Sequence, residues 1–276
     1  MYSTGHIIFI IISLLMIAIG TFVCKKNKWP LDSVIKVCFF VAIICEMIKV
    51  LTVIDVVPIV QAVIENGEMV YKETGRYSPF IEYTHLPFEL CSLQILFMFL
   101  YLVIRNEVWK KRVIALIYGT AMMGGLLAIF VSAIAGGFNT TREYLTSVRA
   151  WEFYIYHSML TILAILIATD NKYSLKIKEF IWTCVMLWII DTFSFYINSI
   201  LSIPVYRDGK LIGLSSSVNF FSSFNNPLGI PMVNKKQYFI YLVIRLLIGF
   251  VLITIIYLPL IKNRGAYERK IRKKRK

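Results

Sequence analysis

The amino-acid sequence predicts an all-α polytopic membrane protein, a bundle of about seven transmembrane helices with the N-terminus outside and the C-terminus inside. Of its 276 residues, 58% are hydrophobic and the mean hydropathy is +0.70, which is more apolar surface than one soluble core hides. The apolar residues come in runs of about 20, the length at which a helix crosses a bilayer. Lys and Arg concentrate in alternate connections, as in proteins whose basic loops stay in the cytoplasm.

The expected spans are the apolar runs of the chain, taken in order. The first, 7–23, has no Lys or Arg before it and is followed by Lys25, Lys26 and Lys28. A cleaved signal peptide has the opposite polarity, so this run is expected to be a retained helix. The remaining expected spans are 33–57, 86–104, 113–135, 151–169, 180–202 and 238–261, with long loops over 58–83 and 204–237.

Positive charge sets the expected orientation and also excludes one class of partner. The connections after the first, third and fifth spans are basic, and 262–276 holds nine Lys and Arg. Topology therefore explains the net charge of +14 without a nucleic-acid partner. We expect one transmembrane domain, 1–262, in the cell membrane as a multi-pass protein, and a basic cytoplasmic tail, 263–276, lying against anionic lipid.

The sequence carries no signature of a metal site or a cofactor site. Its five cysteines lie in or beside apolar runs without CxxC spacing, which indicates free thiols rather than a disulfide framework. There is no HExxH motif, no Cys/His cluster and no glycine-rich phosphate cradle. No metal and no cofactor are therefore expected.

Polar side chains interrupt five of the apolar spans, mostly in the predicted outer half. A polar side chain in the bilayer costs about 3 kcal/mol, so each of these has a partner or a role. One interpretation is a polar chamber that opens outward and binds substrate. The alternative is that they fasten helices together, with Glu46 paired to Lys49 and Asp191 paired to Arg245. The candidate substrate-binding residues are Glu46, Lys49, Glu89, Gln94, Asp191, Asn198 and Arg245.

Cys91 and His157 are the candidate catalytic residues. Each lies about 8 Å below the outer end of its expected helix, counting about 1.5 Å per residue, and the other cysteines have no histidine at a matching depth. An imidazole that accepts the thiol proton leaves a reactive thiolate. A buried cysteine in a helix seam and a hydrogen-bonded histidine are the structural alternative.

The segment Leu86–Ser92, LPFELCS, resembles the LPLHLC-type signature of the YwaF family of integral membrane proteins. A vertebrate relative of that family is a transmembrane acyltransferase that remodels phospholipids through a cysteine. His157 in a later span and the polar sixth span support the match, whereas Glu89 stands where many members have histidine.

The resemblance implies acyl transfer or acyl hydrolysis on a membrane phospholipid. Cys91 would correspond to the family cysteine and His157 to its histidine. The competing hypotheses are a transporter or receptor that binds a small polar solute in the same chamber without covalent chemistry, and an assembly factor that binds a partner through its long loops.

Overall fold

The structure of this chain is a computed structural model that describes residues 3–65, 68–131, 138, 140–170, 175–207, 210–216, 220 and 234–274. Its helices are α1 Thr4–Lys26, α2 Leu31–Val53, α3 Leu93–Val103, α4 Glu107–Phe130, α5 Thr141–Thr146, α6 Val148–Thr169, α7 Ile177–Leu201 and α8 Lys235–Lys274. Its strands are β1 Asp55–Glu65, β2 Glu68–Phe80, β3 Ile203–Arg207 and β4 Lys210–Ser216.

Five helices in the described part of the chain are long and apolar enough to cross a membrane. They are α1, α4, α6, α7 and the first 24 residues of α8. Helix α2 has 23 residues but carries Asp32, Lys36, Glu46 and Lys49, and α3 has 11 apolar residues. The expectation of a mostly helical membrane protein is confirmed.

Helices α4 and α6 form the centre of the bundle. Helix α4 packs against α3, α6, α7 and α8, while α6 packs against α1, α2 and α4. The two helices come close at Gly125, where an added Cβ would lie 2.5 Å from Thr161 Oγ1 and 3.0 Å from the His157 carbonyl oxygen. A side chain at position 125 would therefore push the two central helices apart.

The two segments expected to be long loops contain β-hairpins, which corrects the all-α assignment. Strands β1 and β2 pair antiparallel from Asp55↔Phe80 to Glu65↔Glu68, and β3 pairs with β4 in the same way. Strand β1 is rich in valine and isoleucine, residues that favour extended backbone because they are branched at Cβ. That composition, rather than the charges of the segment, is the signal that indicates a strand.

The expected start of the third span at Leu86 is wrong. The structure has a 3₁₀ turn at Tyr83–His85, turns through Ser92, and a helix only from Leu93. Pro87 lacks a backbone N–H and disfavours helical backbone at the residue before it, so the α-helix cannot extend back through Leu86. Cys91 consequently lies in the turn before α3, and the depth calculated for it from the rise of a helix does not apply.

Candidate functional site

The turn that carries Cys91 is fixed by hydrogen bonds from two helices. The Tyr156 hydroxyl of α6 donates to the Cys91 carbonyl oxygen at 2.6 Å, and the Gln94 backbone N–H donates to the same oxygen at 3.1 Å. The Ser92 backbone N–H favours the thiolate form of Cys91, but the effect of burial is larger and opposite. Cys91 therefore lies two residues before the start of α3, in a turn that a hydrogen bond holds against α6.

His157 follows Tyr156 on α6 and is buried, with 3% of its surface exposed. Its Nδ1 lies 2.6 Å from the Phe153 carbonyl oxygen, which can only accept a hydrogen bond. The neutral ring therefore carries its proton on Nδ1 and leaves a lone pair on Nε2, the form that acts as a base. Within the described residues, no hydrogen bond joins the Cys91 thiol to this ring.

A cluster of four charges lies where α2 meets the start of α6. Lys49 Nζ is 2.5 Å from Glu46 Oε1, and Arg149 forms an ion pair with Glu152. Helices α2 and α6 pack together, and Glu46 and Lys49 are close enough to act electrostatically on the Glu152 carboxylate. We call Glu46, Lys49, Arg149 and Glu152 the charge quartet.

The charge quartet is next to the Cys91 turn, and only its α2 half was among the residues predicted from the sequence. Burial raises the pKa of the Cys91 thiol to about 11, the Glu89 carboxylate acts in the same direction, and the Lys49 ammonium opposes them. Arg149 and Glu152 have the same i,i+3 spacing as Glu46 and Lys49. This spacing of opposite charges is the sequence signal that predicts a second ion pair at the start of α6.

His85 lies near the same quartet, outside the long helices. Burial lowers the pKa of its imidazole, and the positive charges of Arg149 and Lys49 act in the same direction. The carboxylates of Glu82 and Asp55 oppose that shift. Burial and the two cationic side chains therefore favour the neutral form of His85.

Gln94, expected to bind substrate, ties α3 to α4. Its Nε2 donates to Thr120 Oγ1 at 2.6 Å, and Thr120 in turn donates to the Leu116 carbonyl oxygen at 2.6 Å. The Gln94 Oε1 is buried and has no hydrogen-bond partner in the described part of the chain. Gln94 therefore has one amide nitrogen in a structural role and one acceptor oxygen still available.

The polar residues of α7 and α8 form a second group. Arg245 Nη2 donates to Asp191 Oδ2 at 2.6 Å, which is the helix-fastening pair considered above. Asn198 is buried, and its side-chain amide hydrogen-bonds both the N–H (2.9 Å) and the carbonyl oxygen (3.0 Å) of Phe220. The Phe220 ring then meets the Phe88 ring edge-on at 5.5 Å between centroids.

The two groups are connected through the turn that carries Cys91, because Phe88 belongs to the same segment as Glu89 and Cys91. Glu89 is exposed at the surface of that turn. Both ion pairs of the helix-fastening interpretation are formed: Glu46–Lys49 within α2 and Asp191–Arg245 between α7 and α8. A single shared chamber for the seven residues stays a prediction.

The model of the TMEM164 family matches residues 1–257 of the chain. This protein belongs to the TMEM164 family. Neither the curated proteins nor the solved structures gave a match.

Membership of the TMEM164 family agrees with the helices of the structure, since both indicate a membrane protein. The match extends from the first helix well into α8, so it includes the Cys91 turn, His157 and the charge quartet. The resemblance to the YwaF family and the acyl-transfer reaction that it implies stay predictions for this TMEM164 family member.

Proposed function

We propose that this protein is a multi-pass acyltransferase of the cell membrane that acts on phospholipids through Cys91 and His157. The observation that carries the proposal is the Tyr156 hydrogen bond to the Cys91 carbonyl oxygen. It joins the cysteine turn to the α6 residue directly before His157, a buried histidine whose Nε2 is the basic nitrogen.

The proposed topology has seven spans, which correspond to α1, α2, α3, α4, α6, α7 and the first part of α8. With the N-terminus outside, the Cys91 turn, the charge quartet and both hairpins fall on the outer side. Trp109 and Trp182 flank the Arg112 guanidinium at 4.7 and 4.9 Å on the opposite side. Tryptophan is enriched at both membrane boundaries and arginine on the cytoplasmic side, so Arg112 supports this orientation.

The first half of the reaction forms a thioester. The Cys91 thiol gives its proton to His157 Nε2 after a rotamer change brings the two together, and the thiolate attacks the ester carbonyl carbon of a phospholipid. The ester C–O bond breaks, and the lysophospholipid oxygen takes the proton from the imidazolium. The acyl chain is then held on the Cys91 sulfur.

The second half transfers the chain to an acceptor. The hydroxyl of a lysophospholipid gives its proton to His157 Nε2 and attacks the thioester carbonyl carbon. The C–S bond breaks, and the thiolate takes the proton back from the imidazolium. Water in place of the acceptor gives acyl hydrolysis by the same steps.

The candidate binding residues have separate roles in this proposal. Lys49 is the basic group that holds the lipid phosphate, because it is close to Cys91, and the free Oε1 of Gln94 accepts a hydrogen bond from a substrate hydroxyl. Glu46 and Glu89 orient cationic or polar neighbours. Asp191, Asn198 and Arg245 keep α7, α8 and Phe220 in place around the turn.

Purified protein in lipid bilayers tests the proposal with a labelled phospholipid donor and a lysophospholipid acceptor. Wild type is expected to form a hydroxylamine-sensitive acyl adduct and to transfer the label. Cys91→Ala is expected to do neither while keeping the thermal midpoint of wild type, and Cys184→Ala is the matched control. Full label transfer by Cys91→Ala would overturn the cysteine mechanism and favour the solute-binding hypothesis.

A further inference from the structure

A pocket of about 130 Å³ lies at the opposite end of the bundle from Cys91, between the end of α1, the start of α2 and the end of α6. Its charged and aromatic wall comes from the end of α1 and the α1–α2 connection, and its floor is apolar. The wall includes Lys25, Lys28 and Trp29, and the floor includes Leu31, Val34 and Leu166.

The α1–α2 connection holds its lysines in a defined backbone geometry. The Trp29 N–H donates to the Cys24 carbonyl oxygen at 3.1 Å, and the Lys28 N–H donates to the Lys25 carbonyl oxygen at 3.2 Å. This is the Schellman pattern that ends a helix, and its left-handed position is normally glycine. Here Lys28 occupies that position with φ 51°, a conformation that disfavours any side chain.

Helix α2 starts at this pocket without a side-chain cap. Its N-cap is Pro30, which makes no side-chain hydrogen bond to the helix, and Leu31 of the first turn lines the pocket. The first backbone amides of a helix carry partial positive charge and bind anions. Lys25 and Lys28 form no ion pair within the described part of the chain, so the pocket combines two ammonium groups with a helix N-terminus.

The surroundings of the pocket indicate a ligand that arrives from the membrane. Its floor is formed by apolar residues of membrane helices, and Trp29, 49% exposed, is of the type enriched at membrane boundaries. A soluble anion gains nothing from an apolar floor, whereas a phospholipid offers a phosphate and glycerol carbons together. Asp170 is the acidic residue of the lining, where the two lysines outnumber it, and Asp32 in the first turn of α2 hydrogen-bonds Tyr101 and does not line the pocket.

The geometry points to a second lipid site, in which Lys25, Lys28 and the N-terminus of α2 bind the phosphate of an anionic phospholipid. Leu31, which lines this pocket, and Lys49, which is near Cys91, are 18 residues apart on α2, or about 27 Å along the helix. The site is therefore separate from the proposed reaction at Cys91. Its occupant stays bound rather than being consumed.

The test measures retention of phosphatidylglycerol by the full-length protein, using native mass spectrometry in detergent micelles doped with that lipid. The variant Lys25→Ala with Lys28→Gly removes both ammonium groups, and glycine accepts the left-handed backbone without strain. The matched control, Lys26→Ala with Lys36→Ala, removes the same charge from the same side of the membrane. It leaves the pocket intact, because Lys26 lies over the Phe22 ring and neither lysine lines the pocket.

Wild type and the control are expected to retain phosphatidylglycerol in preference to phosphatidylcholine. The pocket variant is expected to bind it at least about fivefold more weakly than the control, since one basic group at an anionic surface accounts for about that factor. Equal affinity of the two variants would overturn the site. Displacement of the lipid by an equal concentration of inorganic phosphate would overturn the lipid as its ligand. If the double variant does not fold, Lys28→Gly alone is compared with Lys26→Ala.

Discussion

Tyr156 and Cys91 are joined by a hydrogen bond of 2.6 Å from the phenol hydroxyl to the backbone carbonyl oxygen. This contact directly links the turn before α3 to the helix that carries His157. Tyr156 does not touch the sulfur in that bond, so it is a positioning residue in the proposed reaction.

Tyr156→Phe is expected to slow formation of the Cys91 acyl adduct by about tenfold, because loss of about 1.4 kcal/mol in positioning corresponds to that factor. The protein should stay folded, since a single hydrogen bond contributes about 1 kcal/mol. The rate of adduct formation and the thermal midpoint are measured together. Tyr118→Phe, which removes a hydroxyl that donates to the Ile256 carbonyl oxygen, is the matched control. Equal slowing in both variants would show that the effect is one of general stability.

The charge quartet is expected to be sensitive to removal of a single member. Glu152 has a side chain that is 5% exposed, so Glu152→Ala leaves Arg149 without this partner and should cost about 3 kcal/mol, the lower end for a buried pair because Arg149 is 23% exposed. Arg149→Ala combined with Glu152→Ala should recover part of that loss. Thermal unfolding in detergent provides the measurement.

The exposed ion pair of the first hairpin is the control for the charge quartet. Lys72 and Glu65 are 56% and 46% exposed, so Glu65→Ala should change stability by about 0.5 kcal/mol or less. A Glu152→Ala effect no larger than that of Glu65→Ala would contradict the burial of the quartet.

Acid is expected to destabilise the region around His85. Because the pKa of folded His85 lies below its ordinary value of 6.5, the unfolded chain binds more protons between the two values. The contribution of His85 to the free energy of unfolding is therefore fully present above about pH 6.5 and decreases as the pH falls below that value. His85→Gln should lose less of its thermal midpoint than wild type between about pH 7.5 and about pH 5.5. An identical loss in both proteins would assign the acid sensitivity to other groups.

Asn198 secures a loop residue to α7, and its removal is expected to expose that loop. Asn198→Ala leaves the buried N–H and carbonyl of Phe220 without their side-chain partner, at a cost of about 1–3 kcal/mol. The expected result is faster proteolysis within 204–234 and a lower thermal midpoint. Thr192→Ala on the exposed face of the same helix is the control. No difference between the two variants would contradict the anchoring role.

The membrane class and most of the helices could be predicted from the sequence because apolar length and charge distribution are local properties. The turn at Leu86–Ser92 differs from the predicted helix because its residues are apolar enough for a span, and hydropathy does not depend on whether a residue such as Pro87 has a backbone N–H. The pairs Glu46–Lys49 and Asp191–Arg245 were anticipated as one of two interpretations, since buried charges need partners. Hydropathy does not distinguish ion pairs that join helices from a polar chamber that binds substrate, because both structures place the same charged residues inside the bundle.

Other features depend on the neighbouring helices and could not be read from one segment. The bond from Tyr156 to Cys91 joins residues 65 positions apart, and Asn198 meets Phe220 across a segment with no regular hydropathy pattern. The Phe220 ring is buried against Phe88, a contact that also joins residues far apart in the sequence. The position of the proton on the His157 ring is set by the hydrogen bond to the Phe153 carbonyl oxygen, and only the structure shows that bond.

Gly124 and Gly125 provide a matched pair for the contact between the two central helices. A Cβ at position 125 would lie 2.5 Å from Thr161 Oγ1 and 3.0 Å from the His157 carbonyl oxygen, whereas a Cβ at position 124 meets nothing within 4 Å. Gly125→Ala is expected to destabilise the protein by about 1–3 kcal/mol because the helices must separate. Gly124→Ala should stabilise it by up to about 1 kcal/mol, since alanine favours helix over glycine. Thermal unfolding of both variants measures the difference, and equal midpoints would contradict the close approach of α4 and α6.

Because the contact at Gly125 includes the His157 backbone, Gly125→Ala should also reduce acyl-adduct formation on Cys91, and Gly124→Ala should leave it unchanged.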